Sequence, residues 1–135
     1  MATYYSNDVE RQLCNTDVIA AARTLTAADS GSKFALTAAA GAAVTLPAVS
    51  AGLNFSFAVG SAFATTDWTI VSTTNVIQGN VLVAGAHVAG ADENTISFVA
   101  SAESVGDWVY LWSDGTNWYA SGSGVTSGSI TFTAV

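Results

Sequence analysis

The side chains that most often carry enzyme chemistry are scarce in this sequence. His87 is the only histidine and Cys14 is the only cysteine. No acidic residue lies close to His87 in the sequence, so no neighbouring carboxylate orients its ring as a general base. A zinc site takes about four ligands, most of them Cys or His, and these two residues lie far apart. We therefore predict no catalytic residue, no bound metal and no cofactor.

Two groups of acidic and amide residues could act as ligands or as acid–base pairs. Asp92 and Glu93 are adjacent, so on a strand they point to opposite faces of the sheet. Asp114 and Asn117 offer two oxygens to a calcium ion, which takes about six to eight. Neither group predicts an active site or a metal site.

An aromatic segment near the end of the chain is the most distinctive chemical feature. The alternation in Asp107–Ser113 predicts a strand, and Asp114-Gly115 predicts the turn of a hairpin, because glycine accepts the positive φ that such turns need. The aromatic residues of the hairpin are Trp108, Tyr110, Trp112, Trp118 and Tyr119. The first three alternate along the strand and therefore share one of its faces.

These rings have two interpretations. They could bind sugars by stacking, with Asp107, Asp114 and Asn117 as polar partners. They could also fill a core between two sheets or between subunits. Val109 and Leu111 make the second face of the strand apolar as well, which is typical of a strand covered on both faces. We therefore predict a core or subunit interface, with sugar binding as the alternative.

The elements that must position these rings are predicted to be β-strands. The chain has 15 Ser, 16 Thr, 25 Ala and 12 Gly, and short apolar or alternating runs are separated by small polar residues. A tight turn is predicted at Gly79-Asn80. The predicted strands are 34–37, 43–46, 53–59, 68–72, 76–78, 81–84, 95–100, 107–113, 118–121 and 129–134. The predicted fold is an all-β, multi-stranded sandwich or barrel-like body.

The first residues differ from this body. We predict an N-terminal arm or linker over 1–23, helical or extended, and a single β domain over 24–135. Within the arm, 17–23 is compatible with a short helix capped by Thr16 or Asp17, and Val18 is equally compatible with the start of a strand. A weak similarity between 20–26 and 38–46 is attributed to chance in an Ala- and Thr-rich chain, so no solenoid repeat is predicted.

Composition and charge exclude several functions. Half of the 135 residues are hydrophobic and only 10% are charged, which is not the composition of a disordered chain. The net charge is −7, and no Lys or Arg follows Lys33. Nucleic acids and anionic membranes both require a cationic surface, so we predict neither as a partner. The first residues, with no basic segment before an apolar one, do not predict a secretory signal.

Three further segments are Thr24–Gly31, Ala43–Pro47 and Ser113–Tyr119, of which the last, Ser-Asp-Gly-Thr-Asn-Trp-Tyr, is the most distinctive. These segments resemble small β-rich virion proteins of tailed bacteriophages, above all capsid decoration (cement) proteins. The resemblance covers roughly residues 24–133. It implies a non-enzymatic structural protein that is made in the host cytoplasm and binds the outer surface of the capsid. Tail-fibre, head-fibre or receptor-binding modules that contact host glycans are the alternative.

The resemblance also implies partners. Proteins of this kind bind the major capsid protein and commonly form trimers, so we expect a homotrimer on the virion. The arm lies outside the resemblance, and it holds two of the three cations. We predict that it reaches the shell or a neighbouring subunit, with Tyr4, Tyr5, Arg11 and Arg23 as contacts. The alternative is an arm that folds on its own β body.

Overall fold

The computed structural model describes residues 16–135 and confirms the all-β prediction. Twelve strands form two mixed sheets, and the described residues contain a 3-10 turn but no α-helix. The strands are β1 Thr16–Ile19, β2 Arg23–Thr24, β3 Lys33–Leu36, β4 Ala43–Thr45, β5 Asn54–Val59, β6 Trp68–Val71, β7 Ile77–Val83, β8 Ala86–Glu93, β9 Thr95–Phe98, β10 Trp108–Ser113, β11 Trp118–Gly124 and β12 Ile130–Thr133. No helix within 16–135 is long and apolar enough to cross a membrane.

The first six strands alternate between the two sheets. The seven-stranded sheet has the order β1-β3-β5-β10-β11-β7-β8, and the five-stranded sheet has the order β12-β9-β6-β4-β2. The pairs β1/β3, β3/β5, β2/β4 and β4/β6 are all parallel, so this part of the chain winds in successive coils. The remaining pairs are antiparallel, except that β11 and β7 are parallel.

The coiled winding sets the two weakly similar segments beside each other. Arg23 and Thr24 pair in register with Val44 and Thr45, which are the matching residues of the two similar segments. Val44 in turn pairs with Ile70 of the next coil. The loops between these strands differ in length, so the coils have no fixed sequence period.

Alternating side chains of both sheets meet in a continuous core. The inward rows are large and apolar, as the pleat of each strand requires, whereas most outward positions are polar or small and β10 carries three aromatic residues there. Phe34 stacks on Phe57 with ring centroids 5.5 Å apart, and Phe55 lies 5.8 Å from Trp118. Each fully buried ring of this size contributes roughly 1.5–3 kcal/mol relative to an exposed one.

The predicted hairpin turn at Gly79-Asn80 is wrong. Both residues lie inside β7, which is irregular at this point because Gly79 adopts a φ of +120° against the backbone of Ala120. The turn falls instead at Ala84 and Gly85, whose φ values of 51° and 81° match a tight hairpin. The following strand, β8, was not predicted, because it is an edge strand that is mostly exposed and has few large apolar residues.

The N-terminal region is also partly corrected. Thr16–Ile19 forms a strand rather than a helix, in parallel register with β3. Since β1 and β2 both belong to the sheets, the predicted arm boundary at residue 23 does not coincide with the edge of the sheets. The described residues begin at Thr16, so the predicted contacts Tyr4, Tyr5 and Arg11 lie outside them.

Candidate binding face

The aromatic strand β10 lies at the centre of the seven-stranded sheet. Its inward residues, Val109 and Leu111, are fully buried. Its other face points away from the core, and Trp108 and Trp112 keep 44% and 46% of their surface exposed. Tyr110, between them, is half-buried. The prediction that these three rings fill the core between the sheets is therefore wrong, whereas a subunit interface stays a prediction.

The return strand β11 divides its two aromatic residues between the faces. Trp118 is fully buried in the core, as predicted for the hairpin. Tyr119 lies on the outer face, where its ring centroid is 4.6 Å from that of Trp112, its partner across the strands. The outer face of β10 and β11 thus carries four aromatic rings, Trp108, Tyr110, Trp112 and Tyr119, which we call the aromatic face.

Apolar residues extend the aromatic face across the sheet in one registered row. The row is Val18, Ala35, Ala58, Trp108, Ser123 and Leu82. Val18 is 59% exposed and Leu82 is 42% exposed. Together with the two indoles, four of the seven large hydrophobic residues that are exposed within 16–135 lie on this face. A concentration of this kind marks an interaction surface more often than scattered single residues do.

Lys33 adds a positive charge to this face. It starts β3, is exposed, and makes no ion pair within the described residues. It lies beside Ser56, which pairs with Tyr110. A depression of about 250 Å³ lies among these strands, lined by Lys33, Phe34, Ser56, Phe57, Ala58, Trp108 and Val109.

Asp114, considered above as a sugar or calcium ligand, holds the hairpin turn. Its Oδ1 accepts the N–H groups of Thr116 and Asn117, and its Oδ2 accepts the hydroxyl of Tyr119 at 3.0 Å. The backbone N–H of Asn117 and then that of Thr116 are the main causes that lower the pKa of Asp114 below its usual value. These bonds fix the end of the aromatic hairpin and orient Tyr119.

Asp107, the other acidic candidate of the hairpin, is not available to a ligand. Only 2% of its surface is exposed, and its two carboxylate oxygens accept the backbone N–H groups of Ser104 and Val125. The residue ties two loops to the start of β10. The sequence showed an acid next to Trp108 but contained no signal that this acid is buried.

Arg23, predicted to contact a capsid, is engaged within the protein. Its guanidinium bonds Asp17 at 2.6 Å and Asp29 at 3.2 Å, and it lies over the ring of Phe34 at 5.1 Å. The hydrogen bond to Asp17 raises the pKa of Arg23 and is the main cause that lowers the pKa of Asp17. Arg23 thereby closes the end of the sandwich between the edge strands β1 and β2.

His87 is exposed on β8, where its Nδ1 lies 3.1 Å from Oδ1 of Asn80. Among residues 16–135, no three His, Cys, Asp or Glu side chains come together as a metal site. The absence of catalytic residues, metals and cofactors stays a prediction.

No protein-family model, no curated protein and no solved structure matches this chain.

Proposed function

We propose that this chain is a non-enzymatic decoration protein of a bacteriophage virion, which binds the major capsid protein and stabilises the outer surface of the shell. The proposal starts from the three sequence segments that resemble such proteins. In the structure these segments occupy β2 with the following turn, β4, and the tip of the aromatic hairpin. A small body with a continuous core, built from two sheets, suits a rigid module on a shell.

The proposed attachment to the capsid rests on the open edge of the seven-stranded sheet at β1. Among the described residues β1 pairs only with β3, so it is an edge strand of the seven-stranded sheet. Edge strands are where another chain can add a strand by backbone hydrogen bonds. The chain enters β1 directly from the segment that holds Tyr4, Tyr5 and Arg11. We therefore place the capsid contact at the β1 edge and the residues that precede it.

The test is deletion of residues 1–15, followed by binding to capsids that lack this protein. We expect occupancy to fall strongly while thermal unfolding of the soluble protein stays cooperative. The matched control is the full-length double variant Trp108→Ala and Trp112→Ala, which alters the aromatic face and leaves the β1 edge intact. Unchanged occupancy after the deletion rejects attachment through this segment, and failure of the full-length protein to bind such capsids rejects the function itself.

A homotrimer on the virion is part of this proposal. Sedimentation equilibrium of the full-length protein tests it directly. A trimer in solution supports it, and a capsid map that shows isolated single copies overturns it.

A further inference from the structure

The aromatic face lies on the surface of the sheet rather than at the β1 edge, so capsid attachment through β1 leaves it uncovered. Trp108 is its best placed ring for a ligand. The register sets Ala58 on one side of Trp108 and Ser123 on the other. Because both neighbours are small, the indole stands above them, with 44% of its surface exposed. An indole in this setting offers a flat apolar surface on which the C–H groups of a sugar ring can stack.

Lys33 places a positive charge beside Trp108, although the protein as a whole is acidic. The whole chain has a net charge of −7, so a small anion is repelled by most of its surface. The described residues contain two cations, and Arg23 is already paired with two carboxylates. Lys33 is the one with no ion pair in this part of the chain, and it lines the same depression as Trp108. An anionic group is therefore attracted to this point.

The volume and the lining of the depression limit the size and polarity of a ligand that it can hold. Its volume of about 250 Å³ lies just below the range of roughly 300–1,000 Å³ that is usual for drug-sized ligands. Its lining includes Trp108 and Ala58 together with Ser56 and Lys33. A single ring with one apolar face, hydroxyl groups and a carboxylate matches each of these groups.

A second copy of the chain matches the face less well. Pairing of two aromatic faces would cover Lys33 of each copy with a mostly apolar surface, and the proposed homotrimer does not require this face. A purely apolar partner would cover Lys33 without offering an opposite charge, which costs free energy.

From these observations we propose that the aromatic face binds a carboxylate-bearing saccharide, a uronic acid in its simplest form. The sugar ring stacks on Trp108 and the carboxylate lies beside Lys33. Saccharide binding goes beyond capsid attachment and does not depend on it.

The experiment compares glucuronic acid with glucose, which has a neutral hydroxymethyl group in place of the carboxylate, in titrations of the full-length protein at neutral pH. Binding is followed by tryptophan fluorescence and by backbone amide NMR shifts. We expect glucuronate to bind about two- to fivefold more tightly than glucose, which is the range of one exposed ion pair. Acetate at the same concentrations should leave the amides around Trp108 unshifted.

Three variants separate the roles. Lys33→Gln should remove the preference for glucuronate and leave glucose binding unchanged, whereas Trp108→Ala should abolish binding of both sugars. The matched control is Val125→Ala, which shortens an exposed apolar side chain outside the aromatic face and should leave the affinity for a monosaccharide within twofold. Thermal unfolding of each variant confirms that it is folded.

Several outcomes would overturn the proposal. Equal affinities for glucuronate and glucose would show that Lys33 does not select the carboxylate. Sugar binding that persists in the Trp108→Ala variant would show that the sugar binds elsewhere. Shifts with acetate equal to those with glucuronate identify a carboxylate site without a saccharide. Self-association that is abolished by Trp108→Ala, in a protein that binds neither sugar, assigns the face to a second copy.

Discussion

Replacing Asp107 by alanine is the most direct test of how the aromatic hairpin is anchored. Asp107 is 2% exposed, and its side chain accepts the N–H of Ser104 at 2.9 Å and the N–H of Val125 at 3.1 Å. Alanine leaves both backbone donors without their acceptor. The loop that precedes β10 and the loop that follows β11 then lose their common attachment.

The magnitude follows from these two bonds. A hydrogen bond to a charged group contributes roughly 1.5–3 kcal/mol, so we expect Asp107→Ala to lower the free energy of unfolding by about 3–5 kcal/mol. A domain of this size has a total of roughly 7–20 kcal/mol, and the loss corresponds to a fall in Tm of roughly 10–20 °C. Asp107→Asn keeps one acceptor oxygen and should lose about half as much.

The assay is urea unfolding followed by tryptophan fluorescence, with the Tm as a second measure. Glu93→Ala is the control, because the carboxylate of Glu93 makes no hydrogen bond or ion pair within the described residues; its effect should stay within about 0.5 kcal/mol. A loss below about 1 kcal/mol for Asp107→Ala, or equal losses for the alanine and asparagine variants, would refute the reasoning.

Two further predictions concern backbone geometry and pH. Gly79 and Gly85 both have positive φ, but a Cβ at Gly79 would collide with the backbone of Ala120, whereas one at Gly85 would meet open space. In urea unfolding we expect Gly85→Ala to cost about 1–2 kcal/mol and Gly79→Ala clearly more, and similar losses would contradict the packing of β7 on β11. Arg23 lowers the pKa of Asp17 below its ordinary value of 3.8, so the stability from this pair is present above that pH and is lost as the pH falls through the lowered pKa. Arg23→Gln should therefore be less stable than the wild type at pH 6, and the difference should shrink toward pH 2; a difference that is independent of pH in urea titrations argues against the ion pair.

Much of the fold was readable from local sequence. Alternation and small polar breaks predicted most strands within one or two residues, because the pleat imposes a local pattern. The turn of the β10–β11 hairpin was also predicted, although β11 extends three residues beyond the predicted end. The alternation pattern did not predict β8, because an exposed edge strand needs few large apolar residues. The turn of the β7–β8 hairpin was predicted at the wrong place, because Gly79-Asn80 is equally suited to a turn and to the irregularity that the structure shows inside β7.

The sequence predicted only part of the candidate site. The sequence gathered its four rings into one segment, but Lys33 and Ser56 lie on strands distant in the chain. They reach Trp108 through the order β3-β5-β10, which no local pattern encodes.

The orientation of β10 is the clearest case in which the sequence left two possibilities open and the tertiary structure decided between them. The sequence by itself determined that Trp108, Tyr110 and Trp112 share one face and that Val109 and Leu111 share the other. Both faces are apolar, so hydrophobicity did not decide which one is covered. Packing against the opposite sheet decided it: the smaller pair fits the space between the sheets, where Trp118 and the phenylalanines already lie, and the three larger rings are left outside. Interior volume is shared among residues from the whole chain, and for that reason only the tertiary structure made the aromatic strand a surface.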